Sequence, residues 1–180
     1  GLSMELTEKT LSSEIVFDGK IMTVRKDEIE LPTGHKSSRE VVEHSGGVVI
    51  LAICQKDEEG KILMVKQFRY PLSEPLLELP AGKLEKGEDP LEAAKRELHE
   101  ETGYEAAKWE YLGYIFTSPG YSNEKLYLYK ATDLNFVGEC PDEGEILVDY
   151  QFSASEVKKM INSGEISDAK TICAVMRGLC

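Results

Sequence analysis

Gly82-Lys83-Leu84-Glu85-Lys86-Gly87-Glu88-Asp89-Pro90-Leu91-Glu92-Ala93-Ala94-Lys95-Arg96-Glu97-Leu98-His99-Glu100-Glu101-Thr102-Gly103-Tyr104 is the stretch on which the fold turns. Asp89 suits an N-cap and Pro90 the first helical position. Glu92, three residues after Asp89, allows a capping-box contact. Leu91, Ala94, Leu98 and Thr102 share one face, and Gly103 stands where a C-terminal glycine ends a helix. At about 100° per residue, Glu97, Glu100 and Glu101 fall within one arc of roughly 100°. Like charges three and four apart repel, each pair costing a few tenths of a kcal/mol. Three of them beside a loop carrying Gly82 and Gly87 make sense if cations fill the gap between them. Carboxylate oxygens without thiols or imidazoles suit a hard ion such as Mg2+ or Mn2+, and Mg2+ suits phosphate chemistry. Read as helix composition alone, the same face is a solvated acidic surface.

Outward from this helix the chain reads as strands. Residues 48–54 form a near-continuous apolar run, the pattern of a strand covered on both faces. Residues 62–68 read as its partner across Asp57-Glu58-Glu59-Gly60. Further strands are expected at 109–117, 125–131 and 146–152. A helix capped by Ser153 or Ser155 and running through Asn162 follows, then one capped by Asp168 and running toward Leu179. Upstream, residues 14–17, 20–31 and 38–44 read as strands punctuated by Asp18-Gly19 and Pro32-Thr33-Gly34. They are rather polar for a core and predict a long, partly exposed ribbon. With strands in the middle and helices flanking them, the fold class is α+β, a mixed sandwich rather than a regular βαβ repeat.

Across 180 residues, 33 acidic side chains outnumber 21 basic ones and give a net charge of −12. That balance argues against a nucleic-acid backbone as partner, because such binding rests on Lys and Arg. It argues equally against an anionic membrane. A small anionic ligand stays open, since a metal can reverse the sign inside one pocket. At 41% hydrophobic and 30% charged residues, the chain can bury a core without staples. Cys54, Cys140, Cys173 and Cys180 show no C-x-x-C spacing, which speaks against a zinc ribbon, and Cys54 reads as a buried thiol. No apolar run approaches the length of about 20 residues that spans a bilayer. The first residues carry no apolar signal core, so a reduced, cytoplasmic protein is expected.

As a pattern, the opening stretch is G-x5-E-x7-R-E-L-x-E-E-x-G-Y. It resembles the signature of the Nudix hydrolases, G-x5-E-x7-R-E-U-x-E-E-x-G-U, where U is a bulky aliphatic residue. So many fixed positions at fixed gaps are far more specific than a lone glycine motif. The one departure, Tyr104 at the final U, touches packing rather than chemistry. The resemblance covers residues 45–180, with the box at 82–104. It implies an α/β/α sandwich with a mixed sheet, whose loop–helix–loop bears the catalytic metals. Residues 1–44 would be an appended antiparallel β-ribbon. By the same resemblance, Glu97, Glu100 and Glu101 bind divalent cations, Mg2+ with Mn2+ as the alternative, and Ala81 contributes its backbone carbonyl. Arg96 would orient Glu97 or Glu88. Its bland alternative is a surface pair with Glu92 or Glu100.

Nudix hydrolases share the hydrolysis of a nucleoside diphosphate linked to a group X, and the box does not choose X. Pro119, sixteen residues after Gly103 and set in Ser118-Pro119-Gly120, resembles the ADP-ribose pyrophosphatase subfamily, although Ser-Pro-Gly also makes a plain turn. Asp142-Glu143-Gly144-Glu145 falls where such enzymes carry the catalytic base, which points to Glu145 with Glu143 as runner-up; a solvated acidic turn is the alternative. Gln67-Phe68-Arg69 resembles the Q-x-R segment whose arginine reaches the substrate diphosphate. Arg39 and Glu40 stand where dimeric relatives present residues to the adenine and ribose of the neighbouring subunit, and Phe17 would offer an aromatic face. Glu124 and Gly120, in the Pro119 segment, complete the expected substrate-binding set. The resemblance therefore implies a homodimer with sites shared between chains, hydrolysing ADP-ribose to AMP and ribose 5-phosphate. Its rivals are hydrolysis of another nucleotide sugar or dinucleotide, such as GDP-mannose or NADH, and a nucleotide-sugar sensor without turnover.

Overall fold

The computed structural model describes residues 5–55, 58–138 and 148–180. Two compact units divide the chain, one of Gly1–Ser45 with Phe116–Lys125 and one of Gly46–Ile115 with Leu126–Cys180.

The first unit is an antiparallel sheet in the order β1 (Lys9–Asp18), β2 (Thr23–Glu30), β3 (Lys36–Glu43). β1 starts at Lys9, ahead of the apolar signal at 14–17, because backbone pairing to β2 carries the polar residues Lys9, Thr10, Ser12 and Ser13 into the sheet. Residues 20–22, expected in a strand, instead make the hairpin turn, in which the Gly19 N–H donates to the Met22 carbonyl at 2.9 Å. Every residue of β1 is exposed, including Leu11, Ile15, Val16 and Phe17. Asp27 in β2 is buried but satisfied: the Ser13 hydroxyl donates to it at 2.6 Å and Arg25 Nε at 2.9 Å. The Pro119 segment joins this unit at the end of β3. The Val42 N–H donates to the Tyr121 carbonyl at 2.7 Å, and the His44 N–H donates to Asn123 Oδ1 at 3.0 Å.

The second unit holds a mixed sheet. Its strands are β4 (Gly47–Cys54), β5 (Lys61–Arg69), β6 (Glu74–Glu78), β7 (Ala81–Lys83), β8 (Tyr104–Phe116), β9 (Lys125–Phe136) and β10 (Val148–Phe152). The order is β10-β5-β4-β9-β8, with β6 paired to β5 and β7 to β4. β4 runs parallel to β9 and antiparallel to β5 and β7. Strand side chains alternate between faces, and β4 serves two cores. Val49 and Leu51 pack with Val157, Ile166, Ala174 and Val175 from the segment bearing α2 (Ala154–Ser163) and α3 (Ala169–Leu179). Val48, Ile50 and Ala52 pack with Ala93, Ala94 and Leu98 of α1 (Pro90–Thr102). This two-sided burial is why residues 48–54 are apolar throughout. Helices on both faces make the α/β/α sandwich, within the α+β class read from the sequence.

β6 and β7 carry no periodic signal, since both are short, Pro75 lies within β6 and Pro80 falls between the two. β8 begins at Tyr104, directly after Gly103, rather than near Trp109. Both later helices are capped, α2 by Ser153 with a reciprocal Glu156 contact and α3 by Asp168. Cys54 is buried. Among the described residues, no helix is long and apolar enough to cross a membrane.

Candidate active site

The site grows from the start of β7. The short strand lays Ala81, Gly82 and Lys83 against Val49, Val48 and Gly47 of β4. A turn then leads to Asp89, whose carboxylate accepts from the Glu92 N–H at 3.2 Å and starts α1. Gly103 ends the helix at φ 73°, in the left-handed region that favours glycine. Leu98 and Ala94 are fully buried on the core face, and this burial fixes the helix rotation. Glu97 is thereby turned toward Gly82. A Cβ at Gly82 would collide with the Glu97 carboxylate, so any larger residue there would push that carboxylate out of its present place.

Arg96 fastens the loop to the helix. Its Nε and Nη2 form a fork to Glu88, both at 3.0 Å. Nη1 donates to Glu97 at 2.9 Å and to Glu100 at 3.1 Å, and Nη2 also reaches the Lys83 carbonyl at 3.3 Å. Hydrogen bonds to Glu88, with the charges of Glu97, Glu88 and Glu100, hold the guanidinium pKa well above its usual value against the pull of burial. The Glu88 carboxyl is correspondingly lowered, first by Arg96 and then by the Glu85 backbone. Both partners offered by the Nudix reading, Glu88 and Glu97, are engaged, and so is Glu100. Glu101 accepts from the Ala81 N–H at 3.1 Å. It is thus the amide of Ala81 that meets the acidic face here.

One guanidinium stands among Glu88, Glu97, Glu100 and Glu101, so these five side chains carry a formal −3. An all-oxygen donor set with surplus negative charge fits a hard divalent cation. Among the described residues, no three acids, histidines or cysteines already stand as a closed coordinating group. The reason is visible in the contacts: Arg96 draws Glu97 and Glu100 to itself, while Ala81 holds Glu101.

Arg69, at the end of β5, belongs to the same unit. Its Nε and Nη2 donate to Glu78 at 2.7 and 2.6 Å. Its pKa is raised, chiefly by that bonding and in part by the charges of Asp168 and Glu101. Of these contributions, the Glu101 charge is the smallest. Sequence reasoning missed Glu78, although the signal was there: a lone carboxylate in the otherwise apolar run Leu76-Leu77-Glu78-Leu79.

The remaining expected residues lie elsewhere. Phe17, Arg39, Glu40, Gly120 and Glu124 all belong to the first unit. Arg39 forks onto Glu8 at 3.0 and 2.7 Å, Glu40 faces Lys26 across the β2–β3 ladder, and Phe17 is 57% exposed. Glu124 accepts from the Thr117 hydroxyl at 2.7 Å and sits 3.3 Å from His44 Nδ1, while Gly120 is exposed. Glu143 and Glu145 lie outside the described residues. Tyr104 meets Phe136 edge-on, the packing role expected for it.

A mixed sheet between helices, with an arginine-clasped acidic loop–helix packed on its central strand, is the arrangement of a Nudix hydrolase. The NUDIX domain matches residues 44–175, and the nucleoside diphosphate sugar hydrolase N-terminal domain matches residues 8–42. The chain belongs to the Nudix family. It is 43% identical over 172 residues to an ADP-ribose pyrophosphatase of Bacillus subtilis, covering 94% of this chain and 91% of that one. It is likewise 43% identical over 170 residues to a methanol dehydrogenase activator of Bacillus methanolicus, covering 93% and 90%. A solved ADP compounds hydrolase superposes with a TM-score of 0.83 at 23% identity, over 97% and 94% of the two chains, which is a likeness of fold.

Proposed function

We propose that this protein hydrolyses the diphosphate of ADP-ribose to AMP and ribose 5-phosphate. The observation that carries the reading is the surplus of carboxylates clasped on one loop–helix beside Arg69, in a chain similar along nearly its whole length to an ADP-ribose pyrophosphatase. Glu97, Glu100 and Glu101, with the Ala81 carbonyl, would hold Mg2+, or Mn2+ in its place. When bound, that cation offsets phosphate charge and stabilises the leaving oxygen. Arg96 keeps the glutamates oriented and links them to the loop through Glu88. Arg69 offers a fixed guanidinium to the diphosphate. Glu145, or Glu143, takes the proton from the attacking water. Arg39 and Glu40 bind the adenine and ribose parts, Phe17 offers its ring to the base, and Gly120 and Glu124 complete the substrate-binding set. Exposed Ile15, Val16 and Phe17 on β1 support a homodimer in which residues 1–44 complete the site of the neighbouring chain. We place the protein in the cytoplasm, without a nucleic-acid or membrane partner.

A panel of ADP-ribose, GDP-mannose and NADH with Mg2+, with products identified, tests the reading. ADP-ribose should give the highest kcat/KM and yield AMP; an equal or better value on GDP-mannose overturns the substrate. The equal likeness to a methanol dehydrogenase activator favours a second reading, in which a dehydrogenase is the partner. Stimulation of an added methanol dehydrogenase, alongside weak turnover of the whole panel, would select it.

A further inference from the structure

Glu78 is buried to 1% exposure, a rare place for a glutamate unless it is paired. It has two cations, not one: the Arg69 fork and Lys170 Nζ. Burial pushes the Glu78 carboxyl up, but hydrogen bonds and charge from Arg69 and Lys170 overcome this and leave it lowered and ionised. Lys170 comes from the first turn of α3, where a cation opposes the helix macrodipole. Its position is explained by what it touches, namely Glu78 and, at 3.0 Å, Asp168. Asp168 in turn caps α3 and accepts from the Thr171 hydroxyl at 2.6 Å. That hydroxyl accepts from the Leu79 N–H, next to Glu78, at 3.0 Å. The ring closes on itself, and Arg69 is its one member with an open side, at 37% side-chain exposure against 16% for Lys170.

We propose that Glu78 and Lys170 are positioning residues that hold Arg69 in its diphosphate-binding orientation, so that the start of α3 sets the affinity of the site for a diphosphate. The inference rests on the proposed role of Arg69. A long arginine side chain loses several free rotations when it grips a ligand. One already forked onto a braced carboxylate loses little, and that preorganisation appears as affinity. Lys170 also shares the Glu78 charge, which keeps the carboxylate from neutralising Arg69 alone. Neither Glu78 nor Lys170 need touch substrate for this to work.

A double-mutant cycle on the full chain reads the coupling. ADP is titrated by calorimetry with Mg2+ into wild type, Lys170→Met, Arg69→Gln and the double variant, and kcat and KM for ADP-ribose are measured in parallel. Lys170→Met should raise the ADP Kd and the KM roughly tenfold with kcat within about threefold, the coupling expected within one ion-pair network. Lys170→Arg should restore most of the affinity. In the Arg69→Gln background, Lys170→Met should add nothing. An equal rise in both backgrounds, no rise in either, or an Arg69→Gln variant that binds ADP like wild type would overturn the proposal. If Lys170→Met unfolds at assay temperature, Glu78→Gln takes its place in the cycle under the same criteria. Coupling in ADP binding without hydrolysis of ADP-ribose would sink the substrate reading and leave this one standing.

Discussion

The acidic loop–helix and the N-terminal sheet answer their side chains in opposite ways. On the loop–helix, four acids find partners within the same stretch: Glu97, Glu100 and Glu88 meet Arg96 one, four and eight residues off, and Glu101 meets Ala81 twenty residues off. On β1, every residue is exposed, and Ile15, Val16 and Phe17 stand in the open. A site closed by local contacts is written in its spacing, because each fixed gap corresponds to one contact. An exposed sheet face leaves only polarity and exposure as its trace.

The largest effect expected from breaking the closed side of this contrast is on turnover. Glu100→Gln or Glu101→Gln should lower kcat on ADP-ribose about 10^3-fold or more with circular dichroism and thermal midpoint near wild type. Retained activity would remove the metal role. Arg96→Met withdraws the guanidinium from Glu88, Glu97 and Glu100, and a loss of about 10- to 100-fold in activity or metal affinity is expected. Gly82→Ala displaces the Glu97 carboxylate and should lower kcat about tenfold or more, while the midpoint of denaturant unfolding moves little.

Acid should act on the closed side too. Glu78 and Glu88 have folded pKa values below the ordinary 4.5. Their ion pairs therefore stabilise fully above that pH and are lost as pH falls through the lowered values. Wild-type stability should decline below about pH 4.5, and Glu78→Gln should flatten that decline; an unchanged slope would contradict the assignment. On the open side, Ile15→Asp with Phe17→Ser should shift sedimentation from dimer to monomer and lower activity, while the thermal midpoint moves little. A dimer that survives the pair of changes would place the interface elsewhere. Smallest of all, Asp89→Ala removes one cap and should cost about 1 kcal/mol.

How much was legible follows the same division. The helix was readable from Asp89 to Gly103, and the double-sided strand from the run 48–54, because capping and burial are local demands on residue type. The clasp by Arg96 was readable as to partners, though not that it joins three carboxylates at once. β6 and β7 were missed because prolines and short length erase periodicity. The pairing of Glu78 with Lys170 spans 92 residues of sequence, and no pattern of spacing encodes it, although the lone carboxylate in the apolar run 76–79 marks Glu78 itself. The length of β1 was under-read because its first half is held by backbone pairing alone.

The central claim is that the acidic loop–helix holds a divalent cation for diphosphate hydrolysis. Titration of Mn2+ followed by electron paramagnetic resonance, on wild type and on Glu97→Gln and Glu101→Gln, tests it most directly. Wild type should bind Mn2+ and release it to added Mg2+, and each variant should bind at least about tenfold more weakly. Equal binding by wild type and both variants would contradict the account.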